Sequence, residues 1–325
     1  MLLSSARLAA AALSVALALA PAGAALAQSY PSQPIKIVVP TPPGGVADIV
    51  ARTFAGKLTE QGKTAVVENK TGAGGALAAD LVAKSPPDGY TVYVGLHNTQ
   101  AILQHLTKLT YDPAKDFQAV TLVARSSNIL ITHPSVEAKT LKDLVAYAKA
   151  NPGKLTYASQ GNGSSGHIVG EQFKDVTGVD IVHVPYRGAG PAMQDLVAGH
   201  VSMSFEILTL AVPQIRQGKV RALAVAAPAR IPAVPDVPTF AELGMPALEG
   251  GPWFGILVPA GTPRPIVDWL HAEAKKTFSA PEVQERFKTQ NLVMPLNTPE
   301  EFTAFIAAES KRWGDVIRKA NIKLE

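Results

Sequence analysis

The sequence predicts an α/β fold of two lobes, with the chain passing from the first lobe to the second and back. Three features point to it. Short β-branched runs alternate with segments whose apolar residues recur at helical spacing, which reads as largely parallel sheets covered by helices. That grammar occurs twice, on either side of two adjacent apolar runs at 120–123 and 129–131. A segment rich in proline and glycine, residues 228–252, then leads to one more apolar strand at 253–258.

The elements follow in order. Residues 35–39 (IKIVV) form a strand, 40–45 (PTPPGG) a turn, and Val46, Ile49, Val50, Phe54 and Leu58 a helical stripe. A second strand at 64–68 (TAVVE) meets a second glycine turn at 72–75 (GAGG). The helix after it runs over about 76–84 and stops at Pro86 and Pro87. Residues 91–95 (TVYVG) are the third strand. The chain crosses over between about 119 and 132. In the second lobe Thr140 and Asp143 look like a capping box, for a helix that ends before Gly153. Strands are expected at 155–159, 181–185, 201–205 and 221–225, with helices over 167–176 and 191–197. Residues 298–301 (TPEE) supply an N-cap, a proline at the first helical position and a glutamate at the third, for a last helix reaching about Ala320.

The first 27 residues read as a secretory signal peptide: Arg7, a short apolar stretch, then Ala25-Leu26-Ala27 as cleavage site. The apolar stretch, 8–20, is too short to span a membrane comfortably. The chain has no cysteine, which excludes disulfides, thiolate metal sites, a cysteine nucleophile and a lipoprotein anchor. With 47% apolar and 17% charged residues it is globular, and long enough for two ordinary domains. The net charge of +4 falls to about +3 once Arg7 leaves, a mild attraction for small anions. No basic run with interleaved aromatics supports nucleic-acid binding.

Three glycine-rich turns, 42–45, 72–75 and 161–166, each lie between a strand and a helix start. The first amides of a helix lack internal partners and carry partial positive charge, so glycine there admits an anion against the backbone. Such turns cluster at the carboxyl ends of strands. Asp48 sits in the first turn of its helix and should stabilise that end. Ser164 and Ser165 each either cap the following helix or offer a hydroxyl to a ligand. His167 faces the cleft or packs, and a helix N-terminus keeps it neutral. Arg187 ends a strand, exposed to solvent or touching a ligand. A carboxylate at Glu206 would repel an acid but hold an ammonium group.

Rival chemistries lack their residues. No glycine-rich loop ends in Gly-Lys-Ser or Gly-Lys-Thr. Residues 161–166 (GNGSSG) match the dinucleotide pattern, yet 183–187 (HVPYR) bring no acid to hold a ribose. A serine hydrolase using Ser164 or Ser165 would want a glycine where His167 stands. The seven histidines form no metal-binding pair at helical spacing.

Residues 30–40 (YPSQPIKIVVP), 42–45 (PPGG) and 48–52 (DIVAR) resemble the Bug family, the extracytoplasmic receptors of tripartite tricarboxylate transporters. So do 67–70 (VENK), 87–90 (PDGY), 157–159 (YAS), Gly163-Ser164 with His167, 183–188 (HVPYRG), 237–239 (VPT), 253–255 (WFG) and 259–263 (PAGTP). The similarity spans nearly the whole mature chain in the family's order. It implies a type II-like periplasmic binding protein: two α/β lobes joined by two crossover strands, with a ligand cleft between them. Lobe 1 would hold 28–125 and 250–325, and lobe 2 would hold 126–249.

The resemblance further implies a carboxylate held mainly by backbone amides and ordered water. Thr41, Pro43, Gly44, Gly45 and Asp48 lie on the first loop, with Gly74 nearby. Ser159, Gly163, Ser164, Ser165 and His167 lie on the second, with Tyr186, Arg187 and Glu206 beside them, and Thr41, Arg187 and Glu206 would set which acid is preferred. Position 41 is often aromatic in the family; Thr41 should widen or wet that edge. The implied protein is a monomer without cofactor or catalysis. It would sit in the periplasm of a Gram-negative bacterium and capture a di- or tricarboxylate, an acidic amino acid or an aromatic acid. Its partners would be integral membrane transporter subunits, or a signalling kinase if it serves as a sensor.

Overall fold

The computed structural model describes residues 30–323, so the expected signal peptide lies outside the described residues. Two five-stranded sheets organise the chain. The first has the order β2-β1-β3-β10-β4. Its strands are β1 (Ile35–Val39), β2 (Ala65–Asn69), β3 (Thr91–Leu96), β4 (Phe117–Arg125) and β10 (Trp253–Pro259). The second has the order β7-β6-β8-β5-β9. It contains β5 (Asn128–Thr132), β6 (Thr156–Ser159), β7 (Val182–Pro185), β8 (Met203–Ile207) and β9 (Arg221–Val225). Helices α1 (Val46–Glu60), α2 (Ala76–Ala83), α7 (Arg264–Phe278), α8 (Pro281–Thr289) and α9 (Pro299–Lys319) accompany the first sheet. Helices α3 (Leu141–Ala150), α4 (Ser165–Thr177), α5 (Ala189–Ala198) and α6 (Leu208–Arg216) accompany the second.

The sheets are mixed, which corrects the expectation of largely parallel ones. Strand β10 runs antiparallel to β3 and β4, and β5 antiparallel to β8 and β9. The reason is topological. Each is the first strand laid down after a crossover, so it enters its sheet from the side where the parallel strands end. Both are buried along their whole length, as central strands without a polar face should be. The edges β2 and β7 are partly exposed, with Val66 and Val182 open to solvent.

Aromatic rings fill the layers between sheets and helices. In the first lobe Phe54 stacks on Phe278 at 6.3 Å, and Trp253 meets Phe302 edge-on at 5.5 Å. A Cβ at Gly255 would overlap the Phe302 ring, so this strand glycine makes room for α9. In the second lobe Phe205 packs on Tyr157 and Phe173. One apolar cluster runs from Val38 and Trp253 in the first lobe to Tyr157 and Phe205 in the second, so the lobes share buried surface. Both expected capping boxes form: Thr140 with Asp143, and Thr298 with Glu301. Such a cap contributes about 1 kcal/mol.

Sequence periodicity misplaced several bounds. Helix α4 starts at Ser165 rather than His167, because Ser164 is its cap. Helix α5 starts at Ala189, and β8 covers Met203–Ile207, which puts Glu206 inside the strand. Helix α6 went unread; it carries Pro213, ordinarily a breaker.

The two crossover segments bind one another. Ser126 N–H donates to Pro252 O (2.9 Å) and Asn128 N–H to Gly250 O (3.2 Å). Gly250 N–H donates to Ala226 O (3.0 Å), and Ala226 N–H to Asn128 O (2.8 Å). A Cβ at Gly251 would collide with the Ser126 carbonyl and lie 2.7 Å from Ser127 Cα. Neither neighbour is a flexible side-chain tip. Gly251→Ala should therefore lower stability by about 1–3 kcal/mol in urea unfolding; an unchanged midpoint would show that the crossovers tolerate separation.

Candidate functional site

The carboxyl ends of β1, β2, β3 and β4 point the same way as the amino end of β10, by their pairing. In the second sheet the ends of β6, β7 and β8 share a rim with the start of β5. Because β4 leads directly into β5, these two rims meet at the crossover. The loops on them touch. A Cβ at Gly74 would sit 3.4 Å from Asn162 O, and one at Gly163 would sit 2.7 Å from Leu103 Cδ2. Thr209 Oγ1 donates to Gln290 O at 2.8 Å. The cleft is closed in this structure.

On the first rim, the turn after β1 opens α1 with Gly45 as N-cap, at φ −78° and ψ 170°, and no side chain caps the helix. The amides of Val46, Ala47 and Asp48 thus keep no capping acceptor among the described residues. Asp48 does not fill that role. Its carboxylate accepts from Gly44 N–H (2.9 Å), Arg52 Nε (2.8 Å) and Asn69 Nδ2 (3.0 Å). Burial alone would raise its pKa; those three hydrogen bonds together outweigh burial and hold it below the ordinary value. Asn69 Nδ2 also donates to Thr41 O at 3.0 Å, tying the turn to β2. The Thr41 hydroxyl is buried without a partner. Gly44, at φ +89°, needs the left-handed backbone that glycine supplies.

The neighbouring turn is held differently. Asn98 Nδ2 donates to Gly74 O at 2.5 Å. Asn98 opens a single π-helical turn, Asn98–Ile102, a feature frequent at functional sites. Its Oδ1 and both ring nitrogens of His97 are buried without partners.

The second rim departs from expectation. Its glycine loop was expected to present open amides, and those of its three glycines are already committed. Gly161 N–H donates to Ser159 Oγ (3.1 Å), Gly163 N–H to His167 Nδ1 (3.2 Å), and Gly166 N–H to Gln160 Oε1 (3.2 Å). Ser164 N–H reaches Gly161 O, and His167 N–H reaches Ser164 Oγ. Ser164 is therefore the cap, and Ser165 Oγ donates to Asn128 Oδ1 at 3.2 Å. His167 packs rather than facing the cleft: its ring stacks on His183 at 4.3 Å, and His183 stacks on Tyr157 at 4.8 Å. Burial pushes His167 down to about 4, so it stays neutral as its position suggested. Ser159 is fully buried and meets His183 Nε2 at 2.7 Å. Tyr186 donates its hydroxyl to Asp195 at 2.6 Å. Arg187 is exposed, with no ion pair among the described residues.

What the second rim leaves open is acidic. Glu206 is fully buried. Its Oε1 accepts from Ile207 N–H (2.8 Å) and Gln160 Nε2 (3.0 Å), while Oε2 has no partner among the described residues. Asn128 Nδ2 and the Ser126 hydroxyl are also buried and unpartnered. Sequence reasoning missed Asn69, Asn98, Asn128 and Gln160. Asn69 ends a strand, Asn98 and Gln160 follow one and Asn128 begins one, a weak signal beside the glycine turns.

The comparisons bear on this geometry. The profile described as tripartite tricarboxylate transporter family receptor matches residues 49–322. The chain belongs to that family. It is 36% identical to BugT of Bordetella pertussis over 302 residues, 92% of this chain and 93% of that one. It superposes on MatC of Rhodopseudomonas palustris with bound malate at TM-score 0.83 and 35% identity, covering 89% of this chain and all of that one. The R. palustris protein Rpa4515 with adipate gives 0.85 and 34%, covering 90% and 99%. The two-lobed periplasmic binding protein fold expected from the resemblance is thereby established.

Two buried groups set opposing pH dependences. Burial lifts Glu206 from 4.5 to about 7, against the pull of its bonds to Ile207 and Gln160. Its stabilising contribution is complete below pH 4.5 and lost as pH rises through about 7, a swing of about 3 kcal/mol. Burial drops His97 from 6.5 to about 3, so its contribution is complete above pH 6.5 and lost on acidification, about 5 kcal/mol. Between pH 6.5 and 4.5 these two slopes cancel; His167 and His183, which burial also keeps neutral, tip the balance, and stability should fall on acidification below pH 6.5. Glu206→Gln should raise stability by up to about 3 kcal/mol at pH 8 and by almost nothing at pH 4. Equal urea midpoints at pH 8 would contradict a buried, ionised Glu206.

Proposed function

We propose that the chain is a periplasmic receptor that captures a small carboxylate between its lobes, 28–125 with 250–325 and 126–249, and catalyses no reaction. The carrying observation is the uncapped start of α1 on the cleft rim. Gly45 offers no side chain, and Asp48 is held by Gly44, Arg52 and Asn69. A ligand carboxylate completes the hydrogen bonding of Val46, Ala47 and Asp48 amides and meets the positive end of the helix dipole. Family relatives seen with adipate and malate support an acid of that kind. The cleaved leader expected at 1–27 accounts for export, and membrane transporter subunits are the partners the family implies.

The hydroxyls near the cleft have the wrong company for catalysis. Ser164 caps α4 and Ser165 serves Asn128. Ser159 does meet a histidine, but it is fully buried, and His183 is pushed down to about 3, chiefly by burial and then by His167. A base that weak takes a serine proton poorly at neutral pH.

The paired crossovers make a hinge, and ligand closes it. A thermal-shift panel of mono-, di-, tri- and aromatic carboxylates should contain at least one that raises the melting temperature by about two degrees or more at a hundredfold excess over its dissociation constant. Small-angle scattering should show compaction with the same acid; binding without compaction would remove the hinge. Val46→Pro deletes one amide at a helix position that tolerates proline. It should weaken that acid at least tenfold, because a hydrogen bond to a charged group contributes about 1.5–3 kcal/mol. Undiminished affinity in the folded variant would place the carboxylate elsewhere.

A further inference from the structure

We propose that the preferred ligand carries a hydrogen-bond donor, a hydroxyl or an ammonium group, beside its carboxylate, and that Glu206 receives it. This rests on the carboxylate-receptor reading and assigns the opposite end of the same cleft. The two rims are chemically unlike. The first presents donors, the uncapped amides of α1. The second has the amides of Gly161, Gly163, Ser164, Gly166 and His167 committed within the loop. It cannot neutralise another anion with them.

One connected network leaves a single acceptor and a single donor over. Ser165 and Gly166, adjacent in the first turn of α4, bind Asn128 Oδ1 and Gln160 Oε1. Gln160 in turn binds Glu206 Oε1. Every side-chain nitrogen and oxygen in this chain of contacts has a partner among the described residues except Asn128 Nδ2 and Glu206 Oε2, both on fully buried residues. A buried polar atom left unmade is costly, and a carboxylate oxygen more so than an amide. No lysine, arginine or histidine pairs with Glu206 among the described residues. With Glu206 ionised, as it is at pH 8, the missing partner of Oε2 must donate. A ligand hydroxyl donates to Oε2, and an ammonium both donates and neutralises the charge. A second bare carboxylate at that end meets Glu206 and is repelled.

Titration calorimetry at pH 8 tests the assignment on the carbon skeleton that the acid panel selects; for four carbons the set is succinate, malate and aspartate. Malate or aspartate should bind at least tenfold more tightly than succinate. Glu206→Gln, which keeps the side-chain shape, should reduce the aspartate-to-succinate ratio at least tenfold, and Glu206→Leu should bring both ratios below threefold. The wild-type ratios stand even where a variant fails to fold. Succinate binding as tightly as both analogues, or ratios unmoved in a folded Glu206→Gln protein, overturns the assignment and leaves the receptor reading intact. Failure of every acid in the panel to bind overturns the receptor reading itself.

Discussion

The pairing of the two crossover segments is the constraint on which the rest depends. Four backbone hydrogen bonds join residues 126–128, 226 and 250–252, and Gly251 permits the approach by having no side chain. That contact places the end of β4 beside the start of β10, and the start of β5 beside the end of β9. The parallel strands of both sheets then finish on rims that face one another. In open α/β sheets the carboxyl ends of strands are where ligands sit. Here two such ends face one another beside the crossover, so the proposed hinge lies next to the candidate site.

Each rim also satisfies many of its loop polar groups from its own lobe. On the first rim, Asn69 and Arg52 hold Asp48, and Asp48 holds Gly44. This leaves α1 uncapped but its turn rigid. On the second, Ser159, Gln160, Ser164 and His167 occupy the amides of their own loop. The stacked rings of Tyr157, His183 and His167 support that loop from beneath. Rigid surroundings lower the ordering cost of binding, which is the physical content of preorganisation.

The first-rim turn was legible because its signals are local. Glycines between a strand and a helix, with an aspartate in the first helical turn, announce an uncapped N-terminus without reference to anything distant. Ser164 as a cap and His167 as a neutral residue are of the same kind. The state of the second loop was not legible. Gly163 N–H ends on His167 Nδ1 because that ring is pressed against His183, sixteen residues away on another strand. Gln160 and Asn128 became visible only when β6, β8 and β5 were laid side by side. Neither carries a pattern that separates it from an ordinary polar residue at a strand end.

By itself the sequence determined the alternation of strands and helices, the double crossing between lobes, the helix caps and the family. Those depend on hydrophobic period, turn chemistry and residue order, which are properties of neighbouring residues. Only the tertiary structure decided that β5 and β10 run antiparallel, which loop amides remain open, and that Glu206 is buried with one oxygen lacking a donor. Strand direction depends on the side from which the chain enters a sheet. Hydrogen-bond satisfaction depends on groups brought together from distant segments, and no local pattern encodes which partners will arrive.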